Sequence, residues 1–260
     1  MKFYRFLEKD LAGKNVNFSD FYDFSNSVEK RILEEYGAVF VARGGAIPPN
    51  KIVFANEREV ARFQKSVSIV KAEIGGFDLE LQSAAMKNLL KSIAEAEEND
   101  LTISPRGADS ARRSYRETVE LWASRVVPAL EHWTKEGKLS GKEAENLHAL
   151  APFEQVSLIF KLEEKGIFFS KDLQKSIVYS VAPPGTSQHL AMLAFDVAEY
   201  KNERVREILA RNKWFQTVVS DLPHFTYLGT GLSYKKFKIF NVLIKSSKLS
   251  ANSSSCAFLF

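Results

Sequence analysis

Two of the four histidines in this 260-residue chain lie in one stretch, residues 183–229, and each has an aspartate close by. His189 stands in Ser187-Gln188-His189-Leu190-Ala191-Met192-Leu193-Ala194-Phe195-Asp196, and His224 closes Asp221-Leu222-Pro223-His224. Two neutral imidazoles and one carboxylate form a zinc ligand set that leaves a fourth position open for water. A second carboxylate beside such a centre can accept that water's proton. No HExxH or CxxC spacing fixes the assignment, and two unconnected histidines at strand ends would give the same letters.

These side chains have to be brought together by the elements around them. Ser176–Val181 reads as a strand that stops at Ala182-Pro183-Pro184-Gly185, a stiff turn that aims the following loop. Leu190–Val197 reads as the next strand, opened by His189. Strand side chains alternate, so His189 and Asp196 would face opposite sides of a regular strand, and their convergence requires a bend or bulge between them. Lys201–Asn212 reads as a polar helix and Trp214–Val219 as a strand. Pro223 has no N–H and biases Leu222 towards extended geometry, which gives an extended chain around Asp221 and His224.

Upstream, Ser25 or Asn26 caps a helix running to Tyr36, with Val28, Ile32 and Leu33 on one face. Gly37–Arg43 and Lys51–Phe54 read as strands separated by Gly44-Gly45 and Pro48-Pro49. Asn56 caps a helix with Val60, Phe63 and Val67 in its buried stripe, and Leu79–Ala96 is a further helix after Gly75-Gly76. Leu101–Ser104 is a short strand ended by Pro105-Arg106-Gly107. Asp109 or Ser110 then caps a long helix that Pro128 kinks or divides near Arg125. Two helices, Gly141–Leu150 and Pro152–Lys165, follow, with Gly166 as the stop. His132 and His148 read as helix histidines rather than ligands.

Hydrophobic residues make up 45% of the chain and charged residues 26%, which suits one globular core with a small appendage. A net charge of +4 arises from mixed signs and argues against a dedicated nucleic-acid binder. The single Cys256 excludes an internal disulfide. No apolar run reaches the roughly 18 residues of a membrane span, so stable membrane insertion is not expected. The first ten residues carry no apolar signal region, so the protein either stays inside or has its export signal elsewhere. Residues 1–35 are an aromatic-rich packing arm, and the Lys- and Ser-rich stretch 231–260 reads as a peripheral tail.

The segment carrying the histidines resembles the zinc D-Ala-D-Ala carboxypeptidase and dipeptidase family, whose fold is shared with the hedgehog signalling domain. That family has Ser-x-His-x-x-Gly-x-Ala-x-Asp followed by Glu-x-x-His. Ser187, His189, Ala194, Asp196 and His224 fall in register, while Met192 replaces the glycine and Asp221 the glutamate. The match covers about a fifth of the chain, with weaker likeness back to about residue 100.

The resemblance implies an α+β fold: a small antiparallel sheet bearing a zinc site, packed against several helices. It implies Zn2+ held by His189, Asp196 and His224, Asp221 as the base, and Ser187 supporting the ligand loop or the substrate. An arginine at the junction near residue 106 would bind a peptide carboxylate or the developing oxyanion. Arg106 follows the strand directly and is favoured by that position; Arg113, in Arg113-Ser114-Tyr115, matches the local letters better. The implied organisation is an N-terminal region 1–100, a peptidase core 101–230 with a helical insert 134–175, and the tail. The implied substrates are peptidoglycan peptides, and the implied location is the periplasm or cell envelope.

Overall fold

The structure is a computed structural model and describes residues 25–230; the aromatic arm before residue 25 and the tail after residue 230 lie outside it. It is an α+β protein with seven α-helices and two small antiparallel sheets among the described residues. Helix α1 (Ser27–Tyr36) starts at Asn26, whose side chain accepts from the N–H groups of Val28 and Glu29. Helix α2 (Glu57–Lys65) starts at Asn56, which accepts from Glu59 N–H. A hairpin of β1 (Ile69–Ile74) and β2 (Phe77–Gln82) turns at Gly75-Gly76 and runs directly into α3 (Ser83–Glu97).

Helix α4 (Tyr115–Lys135) begins with a reciprocal capping box between Ser114 and Glu117 and contains Pro128. Helices α5 (Gly141–His148) and α6 (Glu154–Glu163) follow, and Gly166 sits at φ +80° beyond the end of α6. The second sheet holds β3 (Ala194–Asp196), β4 (Trp214–Phe215) and β5 (His224–Tyr227) in the order β3-β5-β4, with α7 (Glu203–Arg211) between β3 and β4. Among the described residues, no helix is long and apolar enough to cross a membrane.

Several expected strands take other forms. Gly37–Val41 and Ile177–Tyr179 are 3-10 helices, and Lys51–Phe54 is irregular. Leu101–Ser104 is not a strand; the segment reaches the sheet only through a bridge from Pro105 to Val197. Gly37–Val41 and Ile177–Tyr179 are buried or half-buried throughout, which removes the polar alternation that would identify a strand. Lys51–Phe54 alternates in burial but lies in neither sheet. The hairpin 69–82 was not expected, and the cap of α4 is Ser114 rather than Asp109 or Ser110. Pro128 lies within a helix that continues unbroken to Lys135.

The alternation of β5 divides the sheet by chemistry. Phe225 and Tyr227 share one face, with Trp214 packed against both Phe195 and Tyr227. Tyr227 Oη also accepts from Asn88 of α3 at 3.0 Å. His224 and Thr226 share the other face. All four residues are buried, so this second face is a polar surface enclosed within the molecule.

Candidate metal centre

Antiparallel register sets the first contact. Asp196 on β3 lies directly opposite His224 on β5, which puts the two side chains on one face about 5 Å apart at Cβ. His189 arrives from a separate turn: residues 188–191 form a 3-10 helix, and Met192 at φ 54°, ψ 35° reverses the chain into β3. This is the bend that convergence required, made by a left-handed residue at the position where a glycine would be least strained.

The turn is buried, so each of its carbonyls needs a donor, and each has one. His189 O accepts from Met192 N–H at 3.0 Å. Gln64 of α2 donates to Leu190 O at 3.1 Å, and Gln82 at the end of β2 donates to Ala191 O at 2.8 Å. The backbone N–H of Gln82 takes Met192 O. Gly185, just upstream at φ +78°, passes so close to Phe54 that a Cβ would lie 2.0 Å from its carbonyl oxygen. The turn is therefore fixed from both sides.

Met192 allows a test of what holds it. Replacement by glycine relieves about 1 kcal/mol of left-handed strain, but it also removes a fully buried side chain worth about 2–5 kcal/mol. The second effect is larger, so Met192→Gly is expected to destabilise the protein by about 1–4 kcal/mol in denaturant titration. A stabilised variant would show that backbone strain dominates at this turn.

The three side chains meet at single atoms. His189 Nε2 lies 3.3 Å from Asp196 Oδ1 and 3.2 Å from His224 Nδ1, and His224 Nδ1 lies 3.1 Å from Asp196 Oδ1. Tetrahedral coordination with bonds of about 2.0–2.1 Å separates ligand atoms by about 3.3–3.4 Å. The observed triangle has nearly that size, and the residues present fit a metal ion.

The outward-facing atoms fix the protons. His189 Nδ1 lies 2.6 Å from the carbonyl oxygen of Ala111, which can only accept, so His189 carries its hydrogen on Nδ1. Gln188 donates through Nε2 to the carbonyl oxygen of Tyr36 at 2.8 Å, so its Oε1 is the atom 2.9 Å from His224 Nε2. His224 therefore carries its hydrogen on Nε2. In the neutral rings, His189 Nε2 and His224 Nδ1 are lone pairs aimed at a carboxylate oxygen. Three acceptors this close require a cation among them, either a metal ion or a shared proton.

The charges around the cluster follow from its burial. Burial pushes the His189 pKa down, and the nearby Arg113 charge lowers it further, so its imidazole resists protonation. Burial works against the Asp196 anion, while positive charge and hydrogen bonds from His189 and His224 pull the other way and hold the carboxyl well below its usual range; neutral rings lack that charge, so a cation in the cluster has to supply it. Asp196 Oδ2, turned away from the rings, accepts from Arg113 Nη2 at 3.0 Å. Each of the three side chains thus has a partner outside the cluster, the usual device for fixing the orientation of metal ligands.

Of the two candidate arginines, Arg113 reaches the centre. Arg106 is exposed, and its contribution is a backbone N–H donated to Asp196 O at 3.2 Å. Ser187 is buried at the start of the 3-10 turn, and its backbone carbonyl accepts from Leu190 N–H. Asp221 is exposed, and its carbonyl accepts from His224 N–H at 3.1 Å. Among the described residues, no hydrogen bond or ion pair joins the Asp221 carboxylate to the cluster. His132 and His148 lie on α4 and α5, outside the cluster, as expected.

Two groups that the sequence did not single out touch the ligands, Gln188 and the Ala111 carbonyl, while Gln64 and Gln82 bond only the backbone of the turn that carries His189. Gln188 stands in plain sight between Ser187 and His189, but nothing in its spacing marks it as buried. No protein-family model matches the chain, and neither the curated proteins nor the solved structures give a match.

Proposed function

We propose that the chain is a mononuclear zinc hydrolase acting on peptide bonds of bacterial cell-wall peptides, with D-Ala-D-Ala ends as the leading substrates. The supporting observation is the set of three convergent acceptor atoms on His189, Asp196 and His224, whose ring protons are both committed outward. The match of these ligands to the pattern of the carboxypeptidase and dipeptidase family, with its hedgehog-type fold, supplies the reaction class. The antiparallel sheet that carries Asp196 and His224 is compatible with that fold.

When bound, the ion supplies positive charge and lowers the pKa of water in its open position towards neutrality. The chain's own residues do the rest. Asp221, exposed at the entry to β5, accepts the water's proton and returns it to the leaving amine. Arg113 holds Asp196, and Arg106, free to face solvent, offers a guanidinium to a peptide carboxylate. Ser187 steadies the ligand turn or the substrate. Peptidoglycan as substrate implies action in the periplasm or cell envelope.

The separation of the Asp221 carboxylate from the cluster favours one rival, a zinc-binding recognition module without hydrolysis. Metal analysis of purified protein combined with a muropeptide digest, with and without chelator, decides between them. Zinc at one equivalent with chelator-sensitive release of D-alanine is the expected result. Zinc with every muropeptide left intact identifies the recognition module, and a different first-row ion corrects the metal. In the same assay Asp221→Ala is expected to retain the metal and lose about 100- to 10,000-fold in rate, the usual contribution of a general base. Full activity in that variant removes Asp221 from the mechanism.

A further inference from the structure

We infer that Gln188 is a positioning residue that selects the ring nitrogen His224 presents to the metal, and that the end of helix α1 sets Gln188 in turn. This rests on the metal reading for its consequence but not for its geometry. The side chain of Gln188 has one oxygen and one NH2 group, and its surroundings permit only one orientation. Its Nε2 faces the carbonyl of Tyr36, the last residue of α1, which cannot donate. Turning the amide over would set oxygen against oxygen there and NH2 against the N–H of His224. Its Oε1 accepts from His224 Nε2 at 2.9 Å and from Thr226 Oγ1. Thr226 Oγ1 in turn lies 2.6 Å from Thr217 Oγ1.

Each of these groups is enclosed: Gln188 is 2% exposed, Thr226 0% and His224 5%. Water does not substitute readily for any partner in so tight a space. The carbonyls in the last turn of a helix have no partner within the helix. Tyr36 spends its carbonyl on Gln188, so seating α1 and orienting His224 are one event. Without the Gln188 oxygen, His224 has no fixed acceptor for its Nε2 hydrogen. The ring then populates the other tautomer, which puts N–H, not a lone pair, towards Asp196 and His189.

Three variants and two measurements test this. Long-range proton–nitrogen NMR of the imidazoles in metal-free protein reports the tautomer directly, and Co2+ and Zn2+ titration reports affinity. Gln188→Leu is expected to yield mixed tautomers at His224 and a 10- to 100-fold loss in affinity, the usual range for an outer partner of a ligand. Gln188→Asn retracts the oxygen by one methylene and gives the same result should the leucine variant not fold. Gln82→Leu serves as the control. Gln82 is an equally buried glutamine at the end of β2 that bonds the same turn through Ala191 O and touches no ligand. It is expected to lower the melting temperature while leaving the tautomer unchanged and affinity within about threefold.

Folded Gln188→Leu or Gln188→Asn protein with a single Nε2–H tautomer at His224 overturns the inference. So does an equal loss of affinity in the Gln82→Leu control, which would make the effect general loosening. Wild-type protein that binds neither ion while the tautomer still depends on Gln188 overturns the metal reading alone.

Discussion

Removing the ion is expected to lower the melting temperature of the wild-type protein by roughly 8–16 °C, and to leave His189→Ala unchanged. A ligand at about 1,000 times its dissociation constant stabilises the folded state by about 4 kcal/mol, and a domain of this size shifts by about 2–4 °C per kcal/mol. His189→Ala opens the triangle, leaving Asp196 and His224 as a two-point site, so its affinity should fall by more than the 100-fold that loss of an outer partner can cost.

The pH dependence has a definite sign. Because burial depresses the His189 pKa, the unfolded chain binds protons more readily than the folded one below the ordinary histidine value of 6.5. Metal-free stability therefore rises with pH through that region and falls as pH drops from 6.5 towards the lowered folded value. Metal binding follows the same direction, since it displaces protons from the imidazoles. Scanning calorimetry with and without chelator, at several pH values, measures both effects. Identical melting curves with and without chelator in wild-type protein that contained metal would mean the ion does not stabilise this fold.

How much of this could be read from the letters depended on which part of each residue carries the information. His189, Asp196 and His224 were legible because ligand chemistry belongs to side-chain type, and the structure brings all three together. The need for a bend between His189 and Asp196 was also legible from strand alternation. Its form was not: a left-handed Met192 is held by surrounding donors that are far away in sequence. The Ala111 carbonyl was invisible because a backbone oxygen has no letter.

Secondary structure failed where burial erased the pattern. Gly37–Val41 and Ile177–Tyr179 carry β-branched apolar residues yet form 3-10 turns; both are buried or half-buried throughout, so no polar alternation separates a strand from a turn. The hairpin 69–82 failed for a different reason. Gly75-Gly76 between a run with three β-branched residues and one that alternates apolar and polar is a turn signal, but Leu81, Ala85 and Leu89 continue the spacing of α3 backwards across β2 and conceal the strand. Arg106 and Arg113 could not be separated by letters alone, since the loop from Pro105 to Arg113 folds back on itself. Its bonds run from Arg106 N–H to Asp196 O and from Asp196 N–H to Ser110 O. That return brings Arg113 over the carboxylate and leaves Arg106 outside.

Arg113→Met is expected to cost about 3 kcal/mol in metal-free protein and only about 1 kcal/mol with the ion bound. The guanidinium and the Asp196 carboxylate are both largely withdrawn from water, with side-chain exposures of 14% and 12%. Removing one partner of such a pair leaves an uncompensated charge, at a cost of about 3–5 kcal/mol when burial is complete. A bound divalent ion faces the same carboxylate from its other oxygen and supplies the missing positive charge, so the penalty shrinks. The difference, about 2 kcal/mol, appears as metal affinity, which is expected to tighten by about 30-fold in this variant. That is opposite to the loss expected at Gln188, because a cation beside a carboxylate weakens it as a ligand whereas an acceptor beside an imidazole strengthens it. Arg113→Lys keeps the charge but cannot span Asp109 O and Asp196 Oδ2 together, and should fall between the two. Denaturant titration of each variant with and without metal gives the four free energies needed. Equal losses in the two states would mean that Arg113 acts by holding the loop at Asp109 rather than through the Asp196 charge.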